Sequence, residues 1–364
     1  MLSSLFAVFF CFVLGACIYL NQPKFGETPE GARLDAIQNS ANYVDGGFKN
    51  LIETPKFTKN VSTFSIIRHD LLNPRERLVP DAPIPSLKTD LKDLARMHDV
   101  VIWLGHSSYF IQLGGKRILL DPVFSDHAAP LSFLNKAFAG TNIYHVEDMP
   151  EIDYLLISHD HWDHLDYATV VALKDKVHHV VVPLGVGAYL ESWGYAPEKI
   201  FDADWNEKVD LEDGVTIHVL PARHYSGRLL RQNKTLWAGF VLVSSERKLF
   251  FSGDSGYGPH FAEIGRKFGG FDFVALDAGQ YDERWAYIHM TPEEAVDAAN
   301  DLNAAALLPS HVGRFCIARH AWDEPFIRIA SANNGEKLQL LTPVIGEAVK
   351  LNKRRQKFIH WWEI

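Results

Sequence analysis

The chain has 364 residues, enough for one large domain or two small ones. With 47% hydrophobic and 22% charged residues it can bury a sizeable core. A formal net charge of -9 argues against a protein built to wrap nucleic acid. Its 3 cysteines cannot build a disulfide framework or a cysteine-rich zinc knuckle, so a metal site must draw on carboxylates and the 17 histidines.

The first element is LSSLFAVFFCFVLGACIYL, Leu2 to Leu20, an uncharged run long enough to span a bilayer as a helix. We read it as an uncleaved single-pass anchor. The alternative is a lipoprotein signal, because LGAC at Leu14–Cys17 is similar to a lipobox with Cys17 as the acylated residue. The first cationic side chains, Lys24 and Arg33, follow the run, which by the positive-inside rule favours a cytoplasmic catalytic domain. Residues 21–97 are rich in Pro, Asn, Asp and Gly. NPRERLVPDAPIPSLKTD cannot be a regular helix or a central strand. This segment is expected to be an extended arm packed on the main domain.

From residue 98 to 364 the pattern changes to that of a single catalytic domain. Short runs rich in Val, Ile, Leu and Phe end in Gly, Pro, Asp or His: DVVIWLGH, KRILLDP, DYLLISHDH, VTIHVLPARH, KLFFSGDSG, FDFVALDAG and AAALLPSH among them. Each has the length of a buried strand. Amphipathic helices are predicted at 166–174, 187–193, 259–268 and 292–302, the last opened by TPEE. Hairpins first and strand–helix alternation later predict stacked sheets with helices outside, an α/β layered sandwich. Polar residues recur where the apolar runs end, at Asp121, His159, His224, Asp254 and His311.

The densest of these ends is SHDHWDHLD, Ser158 to Asp166. Imidazole and carboxylate both bind zinc at about 2 Å, and two metals about 3.5–4 Å apart can share an activated water. The spacing lets His159 and His161 reach one metal while Asp163 and His164 turn to a second. Asp160 is not at a ligand position, and Asp166 is expected to cap the following helix.

HxHxDH after an apolar strand resembles the signature of the metallo-β-lactamase superfamily. The resemblance implies the four-layer αβ/βα sandwich of that superfamily. It also implies further roles: Asp121 in LLDP as the early structural aspartate, His224 in PARH as the third histidine of the first metal site, Asp254 in FSGDSGY as the bridging aspartate, and His311 in LPSH as the last histidine of the second. More narrowly, WLGHSS, DPVFSD, PLGVGAYLESWGY, GDSGYGPHFAEIGRKFGGFD, YDERW and HMTPEEAV resemble the N-acyl-phosphatidylethanolamine-hydrolysing phospholipase D family, and PKFGETPEGARL and GGFKN resemble the arm of its bacterial membrane-attached relatives. The departures fall at ARHYSGRLLRQNK and VGRFCIARHAWDEP, where lipid specificity would be shaped.

The ligand spacing and the resemblance together imply a binuclear zinc hydrolase of a phosphodiester, with iron or manganese as other metals the ligands accept. Asp163 and His289 are the catalytic candidates beyond bare ligation. His289 matches a pocket histidine of the phospholipase family, as a proton donor or substrate-orienting group. His106 in LGHSS is expected to hold Asp121 or a ligand in place. The expected partners are a phospholipid and a membrane, with no nucleic acid; a homodimer is one option for the oligomeric state. The tail KRRQKFIHWW is read as a closing strand. A lactonase or a phosphodiesterase of soluble substrates is the alternative activity.

Overall fold

The computed structural model describes the chain except residues 1, 60, 211–213, 229–230, 334–337 and 354; side chains at 2–5, 7 and 8 are also outside the description. Arg354 of the basic run and 229–230 of the departing ARHYSGRLLRQNK segment therefore lie outside it.

Two seven-stranded sheets form the centre. In the first, the order is Ala348–Lys350, Val100–Gly105, Ser108–Leu113, Lys116–Leu120, Ile152–Leu156, Val177–Pro183 and Ile200–Ala203. Its early strands are antiparallel and the last four run parallel. In the second, the order is Lys208–Asp210, Val215–Leu220, Gly239–Ser244, Lys248–Phe251, Phe273–Asp277, Ala306–Ser310 and Gln339–Leu340, again antiparallel first and parallel last. Parallel neighbours need crossovers, and α-helices supply five of the six, the link between Leu120 and Ile152 carrying only a 3-10 turn. On the first sheet these are α4 (Tyr167–Leu173) and α5 (Gly187–Ser192); on the second, α6 (His260–Phe268), α7 (Pro292–Asp301) and α8 (Glu324–Ala332).

The alternation of strand side chains sorts the core into layers. Trp103, Tyr154, Leu156, Ile217, Leu242 and Phe251 pack between the sheets. Ile102, Leu104, Leu155 and Val180 turn outward to meet Val170, Leu173 and Leu190 of α4 and α5. Phe250, Val274 and Leu276 turn outward to Phe261, Ile264, Ala295 and Ala299 of α6 and α7. The result is the mixed α/β sandwich expected. α7 is opened by a capping box: Thr291 accepts from the Glu294 N–H, the Glu294 carboxylate accepts from the Thr291 N–H, and Pro292 sits in the first turn.

The structure corrects several expectations. The arm is not wholly extended: it carries α2 (Gly31–Asn39), α3 (Thr63–Leu72) and a small hairpin at 43–48. α3 is secured by a reciprocal Ser62–Ser65 cap, a pattern of two serines that periodicity does not flag. The first run is helical as α1 (Leu2–Leu20), but among the described residues no helix is long and apolar enough to cross a membrane. Among its described residues the tail is no strand. Trp361 and Trp362 are buried in a short 3-10 turn against Phe326, and Ala348–Lys350 closes the sheet instead. Asp166 stands at the start of α4 without capping it through its side chain; its carboxylate accepts from the Ser125 N–H and the Thr169 hydroxyl.

Candidate metal centre

Seven strands end in or just before a site residue: His106, Asp121, His159, His224, Asp254, Asp277 and His311. Within each sheet the pairings make all of these strands point the same way. Their carboxyl ends therefore gather along one edge of the sandwich, and residues as distant in the chain as His106 and His311 meet there. The backbone is bent hard at this edge. His106, Asp121 and His311 have φ of 57°, 44° and 63°, a left-handed conformation uncommon outside glycine and typical of functional sites.

Two clusters form. In one, ligand atoms of His159, His161, His224 and Asp254 lie within 4.8 Å of one another; in the other, those of His106, Asp163, His164 and His311 do. His159 Nε2 is 2.8 Å and His224 Nε2 3.2 Å from His161 Nδ1. Asp254 joins the clusters: one carboxylate oxygen is 3.8 and 3.7 Å from His159 and His224 Nε2 and 3.3 Å from His311 Nε2, and the other is 3.0 Å from His164 Nε2. Asp163 lies 3.1 Å from His311 Nε2 and 3.6 Å from His164 Nε2. All seven residues expected as ligands thus converge.

The chemistry of this donor set fits metal ions. His164 Nε2 and Asp254 Oδ1 are buried and make no hydrogen bond despite their proximity, and three imidazole nitrogens crowd one point where at most a few protons could be shared. Such groups are costly to bury unless something binds them. Burial holds His159 and His224 well below the ordinary histidine range and His161 down to about 3, which keeps them neutral, the form that ligates. Burial would raise Asp254, but His164 and His311 hold it well below the carboxylate range. Burial also opposes charge on His311, yet Asp254 and Asp277 raise it to about 10. A cation would take over the balancing that this proton performs.

Most ligands are also held from behind. Asp121 accepts from the Ser158 N–H at 2.7 Å and its hydroxyl at 2.6 Å, and meets His164 Nδ1 at 2.8 Å. His224 Nδ1 donates to the Ile288 carbonyl. His106, fully buried, contacts Asp163 Oδ2 through Nε2 at 2.9 Å, so it touches a ligand and not Asp121. Asp160 is buried as a brace, accepting from the Gly227 N–H and the Tyr189 hydroxyl.

Two contributors escaped the sequence reading. Asp277 is fully buried: Oδ2 accepts from His289 Nδ1 at 2.8 Å and the Ser255 N–H, and Oδ1 is 3.5 Å from His311 Nδ1. It ends FDFVALD and could have been found by the same rule that singled out Asp121 and Asp254. Asn50 brackets His224, donating to its carbonyl at 2.7 Å and accepting from its N–H at 3.1 Å; no sequence signal marks it. A pocket of about 350 Å³ opens over these groups, lined by His161, Asp163, Asp254, His289 and His311 and also by Lys56, Trp162, Tyr225 and Ile317.

Residues 116–312 match the β-lactamase superfamily domain. The chain belongs to the β-lactamase superfamily. It is a metal-dependent hydrolase of that superfamily's metallo branch. It is 37% identical to an uncharacterized protein of Mycobacterium tuberculosis, over 92% of this chain and 91% of the other. It is 30% identical to the N-acyl-phosphatidylethanolamine-hydrolyzing phospholipase D 1 of Caenorhabditis elegans, over 66% of this chain and 72% of that one. Among solved structures, Igni18, a metallo hydrolase of Ignicoccus hospitalis, shares the superfamily fold with a TM-score of 0.54 at 20% identity, covering 70% of this chain and 98% of the other.

Proposed function

We propose that the chain is a binuclear zinc phosphodiesterase of the phospholipase D type, acting on N-acyl-phosphatidylethanolamine or a related phospholipid at a membrane. The observation that carries this reading is the Asp254 carboxylate, which reaches both histidine groups: one oxygen lies near His159, His224 and His311 and the other near His164. His159, His161 and His224 would hold one ion, Asp163, His164 and His311 the second, and Asp254 both. When bound, such ions supply a water acidic enough to be a nucleophile at neutral pH and positive charge for the phosphoryl oxygens.

The protein's own groups do the rest. Asp277 accepts from His289 Nδ1–H, which fixes the ring and leaves Nε2 for the pocket that His289 lines. With its ring so oriented, His289 is placed to pass a proton to the departing alkoxide. Its ring stacks 4.9 Å from that of His311, beside the cluster.

Three observations support a lipid substrate. The similarity to the worm phospholipase covers 66% of the chain. α3 exposes Phe64, Ile67, Leu71 and Leu72, and the segment after Pro130 exposes Phe133 and Leu134. α3 lines a second cavity through His69, one that shares His289 with the first and in which Asp70's partner Arg284 also lies, and Pro130 lines the first pocket while its carbonyl accepts from Tyr19 of α1. Exposed apolar patches of this kind mark interaction surfaces. α1, with Phe9, Phe10, Phe12 and Ile18 exposed, is the attachment element in this reading, and acylation of exposed Cys17 is the alternative route. The test is mass spectrometry of products from a defined phospholipid mixture. Phosphatidic acid with an N-acylethanolamine is the expected result; lactone opening without phosphodiester cleavage would overturn it.

A further inference from the structure

Lys56 belongs to the arm, yet it lines the pocket over the metal cluster. Its ammonium lies 4.2 Å from the centre of the Tyr225 ring, which in turn lies 4.5 Å from the His161 ring and 4.8 Å from the His224 ring. Among the described residues it is the one lysine or arginine lining this pocket, and no carboxylate there forms an ion pair with it. The arm is pinned on both sides of it. The Thr58 N–H donates to the Arg284 carbonyl at 2.9 Å, Arg223 Nε donates to Thr54 Oγ1 at 3.0 Å, and Asn50 brackets His224.

This placement has a physical cost. Burial disfavours the charged ammonium, a cation–π contact returns only part of that, and cations in the cluster would repel it further. The two carboxylates that share the pocket, Asp163 and Asp254, are engaged by the histidines of the cluster. What both the cluster and Lys56 attract is an anion held between them. A negatively charged phosphoryl oxygen is such a group. The hydroxyl of Tyr225, which has no hydrogen-bond partner among the described residues, is a second donor on the same wall.

We infer that Lys56 is the anion-recognition residue of the active site, binding a phosphate oxygen of the substrate opposite the metal ions, and so selecting phosphate esters over neutral esters and lactones. This rests on the phosphodiesterase reading and deepens it. The arm then supplies selectivity while the sandwich supplies the chemistry.

The test uses the full chain loaded with zinc and inorganic phosphate as the probe, followed by calorimetry without turnover. Lys56→Met should weaken phosphate binding about 10- to 100-fold, Lys56→Arg should hold it within about 3-fold of the parent, and zinc content should be unchanged in both. With bis-p-nitrophenyl phosphate, Lys56→Met should raise KM far more than it lowers kcat, a split that a merely structural role would not give. Lys56→Gln repeats the measurement should the Met variant lose zinc. Equal phosphate affinity in parent and variants, absence of phosphate binding to the parent, or loss of zinc in both neutral variants would each overturn the inference. Phosphate binding through Lys56 with no phosphodiester cleaved would instead sink the proposed function and leave the inference standing.

Discussion

The floor and the rim of the active-site pocket are built on opposite principles. The floor comes from strand ends of two sheets, its histidines and aspartates are buried except half-buried His161 and His289, and most are gripped from behind, as Asp121 grips Ser158 and His164. The rim comes from the arm, the turn after His224 and the loops near Pro130 and Ile317, and it carries half-buried groups such as Lys56, Trp162 and Tyr225. The floor is fixed by packing and can support one kind of chemistry. The rim can change without disturbing the sheets, and it takes Tyr225, Gly227, Gln232 and Ile317 from the two segments expected to shape lipid specificity, ARHYSGRLLRQNK and VGRFCIARHAWDEP.

The difference can be broken by mutation, starting with the floor. Asp254→Ala should empty both metal positions and lower activity by about 10³-fold or more, read by metal analysis and rates; retention of two ions would remove Asp254 from its central position. Asp121→Asn, which keeps a residue tolerant of the left-handed backbone, should weaken metal binding about 10- to 100-fold by removing the charge behind His164. Asp277→Asn sharpens the boundary between binding and chemistry. It should keep two ions and lower kcat about 10- to 100-fold, because the His289 ring loses its anionic partner. A variant that loses metal and activity together would make Asp277 a support of His311 alone.

An effect on stability alone lies behind the floor. His260 is buried against Ser255, and burial first, then Arg223, lowers it from 6.5 to about 4. The unfolded chain therefore binds more protons than the folded one below pH 6.5. Stability from this group is full above pH 6.5 and declines as pH falls towards 4, by up to about 3 kcal/mol. His260→Gln should flatten that slope in denaturant titrations across the window; an unchanged slope would show that other groups set it.

The legible and illegible parts of the molecule divide along the same line. His159 to His164 could be read because four ligands share one turn. Asp121, Asp254 and His311 could be placed because each follows a buried apolar run, and the helices at 166–174, 187–193, 259–268 and 292–302 appear within a few residues of their predicted bounds. α8 was missed because its start, DEP, sits in a segment read as pocket wall. Asn50 and Lys56 could not be found, since their roles depend on where the arm crosses the domain, a tertiary fact that no local spacing encodes. The tail misled because Lys and Arg around two tryptophans look like a surface strand, whereas Trp361 and Trp362 fill a gap beside Phe326.

Asn50 sets a limit on how short a working version of this protein can be made. Its amide holds both backbone groups of His224 and also accepts from the Trp237 indole. A truncation that removes α1 but begins before Gly47 keeps that clasp. One that begins at the first strand of the sandwich discards it, together with Lys56, although every proposed metal ligand is still present in the sequence. For engineering, the minimal catalytic unit is therefore defined by a bond to a side chain far upstream of the ligand motif, and not by the domain boundary.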